Sequence, residues 1–137
     1  MTAKEYLDRA RTLDREINSK KRELAKIKLD AQCLNSPVLG DKVVSSHANN
    51  SNSAIDKAVD LERTIKEEIS DLLDLKIEIR ERISRMKRAE YRIVLTDYYI
   101  TMQEWREVAK SNNYSERQVY RIHDDALEEF RKIFGLE

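Results

Sequence analysis

The sequence predicts an all-α fold: an N-terminal antiparallel helical hairpin of coiled-coil character, followed by a C-terminal helix-turn-helix domain. Three observations predict it. Glycine and proline together supply only three of 137 residues, while charged residues make up 38%. That composition suits long solvated helices and leaves a sheet without the turns it needs. Two long stretches carry apolar residues at heptad spacing, the pattern of helices packed side by side. Near the C-terminus, two helix-start signatures stand in tandem.

The first heptad stripe runs over residues 4–34, through Tyr6, Ala10, Leu13, Ile17, Leu24, Ile27, Ala31 and Leu34, broken only at Lys20. Cys33 lies beside this stripe and reads as a small buried hydrophobe. The second runs over residues 54–93. Ala58, Ile65, Leu72, Ile79, Met86 and Ile93 recur every seven residues, with Leu61, Ile69, Leu75 and Ile83 between them. Each helix is apolar along one stripe only, so it requires a partner helix, in the same chain or in a second copy. A hairpin within one chain and a homodimer of two hairpins both meet that need. Between the stripes, residues 35–53 hold the only proline and one of the two glycines within a Ser/Asn-rich run, and read as a polar linker. The expected division is 1–87 for the hairpin and 88–137 for the helix-turn-helix domain. No glycine or proline interrupts residues 79–99. The second helix is therefore expected to continue, kinked near Arg88–Glu90, into the segment Tyr91–Tyr99. Of the adjacent pair Tyr98 and Tyr99, one is expected inside and one outside.

The helix-start signatures are capping boxes, in which a Ser or Thr caps the amide three residues on and the Glu or Gln there reaches back. Thr101 with Glu104 fits one box and Ser115 with Gln118 the other. Each has a hydrophobic staple, Ile100 with Trp105 and Tyr114 with Val119. Helices over 102–111 and 115–134 follow, joined by Ser111-Asn112-Asn113-Tyr114, with Asn113 suited to a left-handed conformation. Trp105 is expected in the core. In the last helix Val119, Ile122, Ala126, Phe130 and Ile133 should face inward, with Leu127 and Phe134 beside them. The opposite face presents Glu116, Arg117, Tyr120, Arg121 and Asp124. Two helices so joined form a helix-turn-helix, whose second helix lies in the DNA major groove with its first turns at the base edges. Arg117 and Arg121 could bind guanine O6 and N7 bidentately, and Glu116 could accept from cytosine N4. Ser115 caps and can touch a phosphate, Gln118 is committed to its capping box, and Tyr120 lies on the reading face. Lys110, Asn112 and Asn113, around the turn, are candidate phosphate contacts.

The run Trp105-Arg106-Glu107-Val108-Ala109 … Tyr114-Ser115-Glu116-Arg117-Gln118-Val119-Tyr120-Arg121-Ile122 … Ala126-Leu127-Glu128-Glu129-Phe130 resembles region four of bacterial sigma factors. Arg88-Ala89-Glu90-Tyr91-Arg92-Ile93-Val94-Leu95 looks like the preceding helix of that region. The resemblance covers about residues 88–134. Asn113 stands where the family often has glycine, and Tyr120 where many members have arginine. With its N-terminal hairpin and the Gly40-Asp41-Lys42-Val43 loop, the whole chain resembles the small sigma-like transcription regulators of the ArpU/RinA type from phages of Gram-positive bacteria. The resemblance implies a phage-encoded regulator that binds double-stranded DNA at a promoter with host RNA polymerase. No stretch of the sequence resembles the segment by which a complete sigma factor binds the polymerase core, so a complete sigma factor is not expected.

Charge distribution complicates that expectation. Basic and acidic residues number 26 each. Residues 95–137 hold six basic and nine acidic residues, whereas residues 80–94 hold six basic and two acidic. The cluster Arg80, Arg82, Arg85, Lys87, Arg88 and Arg92 reads as a solvated helix face or a phosphate track. The acidic face of Asp124, Asp125, Glu128 and Glu129 reads as solvated surface.

Other function classes are disfavoured. One cysteine excludes an internal disulfide or a multi-cysteine zinc site. His47 and His123 have no Cys or His at ligand spacing. No nucleophile–base pair or glycine-rich phosphate loop is discernible, so neither an enzyme nor a cofactor is expected. No apolar run is long enough for a membrane span, and no apolar signal segment follows Met1, so a cytoplasmic location is expected. Two other readings share these features. A small terminase-like DNA-packaging protein would assemble as a ring. A pure interaction module would bind polymerase without reading DNA.

Overall fold

The structure, a computed structural model, describes residues 1–35 and 44–137, with side chains described for 1–33 and 53–137. It is all-helical among the described residues. Helix α1 spans Ala3–Asn35 and α2 spans Val44–Ser84. Three shorter helices follow, α3 (Ala89–Leu95), α4 (Trp105–Ser111) and α5 (Glu116–Phe134), with a π-helical turn at Thr96–Ile100 between α3 and α4. None of the described helices is long and apolar enough to cross a membrane.

The sequence reading places a polar linker over residues 35–53. Of these, 44–53 lie within α2. Residues 36–43, with the Gly40–Val43 loop, lie outside the described residues. By contacts the chain divides into one unit of Met1–Asp14 with Leu72–Glu137 and another of Arg15–Asp71. The division therefore crosses both long helices.

In the unit of residues 15–71, Ile17 and Ile65 are buried. Lys20, the polar interruption of the first stripe, forms an ion pair with Glu68. Lys28 pairs with Glu62 at 2.7 Å. Cys33 is exposed rather than buried, because the turns of α1 beyond Ile17 hold no residue in the buried class up to Cys33.

The other unit carries the larger core. Helix α1 starts with a capping box that the sequence reading overlooked. The Thr2 hydroxyl accepts from the Glu5 amide at 3.1 Å, and the Glu5 carboxylate accepts from the Thr2 amide at 2.9 Å. Its first turns contribute Ala3, Tyr6, Leu7 and Ala10, and α2 contributes Leu72, Leu75, Ile79 and Ile83. Tyr6 stacks on Phe130 of α5 with ring centres 5.9 Å apart.

Helix α2 does not run on into α3. It stops at Ser84, and α3 begins at Ala89. Neither glycine nor proline marks the break. The side chain of Arg92 reaches back and donates to the carbonyls of Met86 and Lys87, at 2.5 and 2.9 Å. Both carbonyls belong to the connection between the two helices. The heptad phase is lost at the break. Met86 is buried, but Ile93, seven residues on, is 44% exposed, and Val94 and Leu95 are buried instead.

Candidate nucleic-acid interface

Helices α4 and α5 pack on α3 and the π-helical turn around Val94, Val108, Ala109 and Val119, with Tyr98, Trp105, Tyr114 and Ile122 against them. Tyr114 and Val119 thus share one cluster, as their staple requires. Between α4 and α5 the chain turns at Asn112–Ser115. The Tyr114 amide donates to the Ala109 carbonyl at 2.9 Å, and Asn113 adopts a left-handed φ of 58°. Ser115 caps α5 in a complete box: its hydroxyl accepts from the Gln118 amide at 3.1 Å, and the Ser115 amide donates to Gln118 Oε1 at 2.9 Å. Gly135, at φ 65°, ends the helix in the left-handed conformation that glycine favours.

The first box does not form. Glu104, not Thr101, precedes α4, and no side chain caps that helix. The cause is the π-helical turn. The Thr101 amide donates to the Thr96 carbonyl at 2.9 Å, and Gln103 to Asp97 at 2.9 Å. Met102 then takes a left-handed φ of 63°, so α4 starts at Trp105 instead of residue 102. The Glu104 carboxylate accepts instead from Arg11, at 3.0 Å. Trp105 stacks on Tyr98, with ring centres 3.6 Å apart and planes 10° apart.

Arg11, buried on α1, also donates to the carbonyls of Tyr98 and Gln103, at 2.6 and 3.2 Å, and its guanidinium lies 3.8 Å from the Tyr98 ring centre. A helix far away in sequence therefore holds the turn that leads into α4. Tyr99 is the tyrosine that points inward, and it is fully buried. Tyr98 is half-buried between Trp105 and Arg11 rather than pointing outward.

On α5, Val119, Ala126 and Phe130 are buried as expected, but Ile133 is 42% exposed and His123 is buried. The inward stripe shifts at the last turn to Phe134, whose ring lies 4.6 Å from that of Phe130. His123 sits among Tyr98, Tyr99 and Trp105. Its Nε2 shares a 2.7 Å hydrogen bond with the Tyr99 hydroxyl. Burial pushes the imidazole down to about 4, with Asp124 opposing and Lys4 adding to the shift. Burial also raises the Tyr99 phenol. An aromatic wall with a neutral histidine thus backs the first turns of α5.

Lys110, Asn113, Ser115, Glu116, Arg117, Gln118, Tyr120 and Arg121 are all exposed, on the turn and the first turns of α5. Asn112 is different. Its side-chain amide is half-buried and donates to the Val108 carbonyl at 2.8 Å and to Asp97 Oδ2 at 3.1 Å, so it shapes the turn. Tyr120 rests edge-on against Trp105, with ring centres 5.5 Å apart. Glu116 meets Arg106 of α4 at 3.6 Å, a pairing across ten residues that helical spacing alone could not reveal.

The basic cluster of residues 80–92 is dispersed. Arg92 is turned inward, and Arg82 lies over the Tyr6 and Phe134 rings. Arg85 pairs with Glu81, and Arg88 with Glu90. Arg80, Arg85, Lys87 and Arg88 are exposed. Among the described residues no group of three or more His, Cys, Asp or Glu could hold a metal ion. Comparison of the chain with protein-family models, characterised proteins and solved structures finds no match.

Proposed function

We propose that the chain is a sequence-specific DNA-binding transcription regulator. In this reading α4, the turn and α5 form a helix-turn-helix resembling sigma region four, and α1 and α2 pair as an antiparallel hairpin. It acts at a promoter with host RNA polymerase, and the resemblance points to a phage origin. The observation that carries the reading is the two-sidedness of α5. Val119, His123, Ala126 and Phe130 are buried on one side, while Glu116, Arg117, Tyr120 and Arg121 are exposed on the other, next to a completed cap. A helix held by its inner face and bare in its first turns is what major-groove reading needs. The reading assigns Arg117 and Arg121 to guanine edges and Glu116 to a cytosine amino group. Lys110 and Asn113, with Ser115 beside them, are assigned to the phosphates.

The test is capture of fragmented source genome on the purified chain at physiological salt, followed by sequencing. The expected result is enrichment of a site upstream of a gene block. The R117A/R121A double variant should lose it, each arginine contributing about 1–3 kcal/mol of discrimination. Retention of the same site by the double variant would assign reading to another surface. Absence of any enriched DNA would sink the DNA reading in favour of polymerase binding alone.

A further inference from the structure

A helix-turn-helix with more acidic than basic residues must solve an electrostatic problem, because phosphate contacts supply most of the affinity for DNA. Glu116 makes the problem local, since its carboxylate stands in the first turn of α5, where a groove-inserted helix passes close to the backbone. The pairing of Glu116 with Arg106 answers it. Arg106 lies in the first turn of α4, and its side chain is 89% exposed although its Nε is 3.6 Å from Glu116 Oε1. A guanidinium has five donors, so one such contact leaves others facing solvent. Lys110 is one helical turn further along α4 and is also exposed. Residues four apart share a helix face, so α4 presents two cations along one edge, and Glu116 shows that Arg106's end of this edge adjoins the start of α5. In helix-turn-helix complexes the first helix crosses the DNA backbone while the second enters the groove.

We infer that Arg106 is a further DNA-binding residue, bridging the Glu116 carboxylate to a backbone phosphate, with Lys110 contacting the same strand one turn on. The inference rests on the DNA-binding reading above. It gives Arg106 two effects. It cancels the charge that Glu116 would otherwise present to the phosphates, and it supplies a phosphate contact of its own. Arginine suits both, because its planar fork can meet two oxyanions at once.

The experiment measures binding of the full chain to the duplex it selects from a random-sequence pool, by fluorescence anisotropy over a series of salt concentrations. Wild type, R106A, E116A and the R106A/E116A pair are compared. R106A is expected to bind several-fold more weakly, with a salt slope shallower by about one. It should do so in the E116A background as well. Far-ultraviolet circular dichroism should be unchanged, since Arg106 is almost wholly exposed. An unchanged salt slope in R106A, or loss of its effect once Glu116 is removed, would show that Arg106 serves only as the partner of Glu116, and would overturn the inference while leaving DNA reading intact. If the wild-type chain selected no duplex, the DNA reading itself would fall and this inference with it.

Discussion

At the scale of single residues, His123 is where the sequence was least legible and where the chemistry is most specific. Helical spacing assigned positions 119, 122, 126, 130 and 133 to the inner face, and a polar residue at 123 offered no reason to amend it. Turned inward, its Nε2 shares a hydrogen bond with the hydroxyl of Tyr99, a residue of the π-helical turn that no sequence signal announces. By contrast, Asn113 was legible, because its left-handed φ of 58° is one that asparagine tolerates without help. The buried imidazole has a measurable consequence. Its folded-state value is lowered to about 4 from 6.5, so between those pH values the unfolded chain binds the extra proton. The neutral-histidine contribution is therefore complete above pH 6.5 and is lost as pH falls towards 4. The shift corresponds to about 3 kcal/mol. Urea midpoints of wild type and H123Q at pH 7 and pH 4.5 check this. The wild type should lose more stability on acidification than the variant. Parallel losses would place the acid sensitivity in the carboxylates instead.

At the scale of elements, the two capping boxes make an instructive pair. Both fit the same four-residue pattern, yet Ser115–Gln118 closes and Thr101–Glu104 does not. A cap is a local device, and it forms where nothing stronger takes its groups. Around residue 101 a stronger competitor exists. Arg11 takes the Glu104 carboxylate together with the carbonyls of Tyr98 and Gln103, and its guanidinium covers the Tyr98 ring. That competitor sits more than ninety residues away in sequence, so no window of local pattern could include it. The pattern at Thr2–Glu5, by contrast, was fully local and forms as written. Replacing Arg11 with methionine keeps most of the side-chain stem but removes every donor. The two carbonyls lose a charged partner, while Glu104 is exposed enough to be hydrated. The expected loss is about 2–3 kcal/mol, the scale of hydrogen bonds to a charged group, read as a shift in the urea midpoint at pH 7. A loss below about 0.5 kcal/mol, the ordinary range of surface substitutions, would mean that the turn into α4 holds itself.

At the scale of the whole chain, the all-helical class and the two long helices were legible because composition and heptad spacing are averages over many residues. Residues 1–35 are net basic and 36–79 net acidic, and Lys20–Glu68 and Lys28–Glu62 join the two. The sequence resemblance begins at residue 88, yet the unit that contains α3, α4 and α5 also contains residues 1–14 and 72–87. Its links are specific: Tyr6 stacks on Phe130, Arg82 lies over the Tyr6 and Phe134 rings, and Arg11 holds the approach to α4. A segment of about 50 residues is marginal even with its own core intact, and residues 88–137 alone would bare the faces of Phe130 and Tyr98 that α1 covers. That segment is therefore expected to show no cooperative thermal transition by circular dichroism, whereas the full chain shows one. If the chain binds DNA as proposed, removal of residues 1–14 from the full chain should also abolish that binding, although every candidate contact residue remains. The shorter piece separates two outcomes. If residues 88–137 melt cooperatively and select the same duplex as the full chain, the first turns of α1 are an accessory to the helix-turn-helix. If they do neither, the reading face exists only on a core that both ends of the sequence build together.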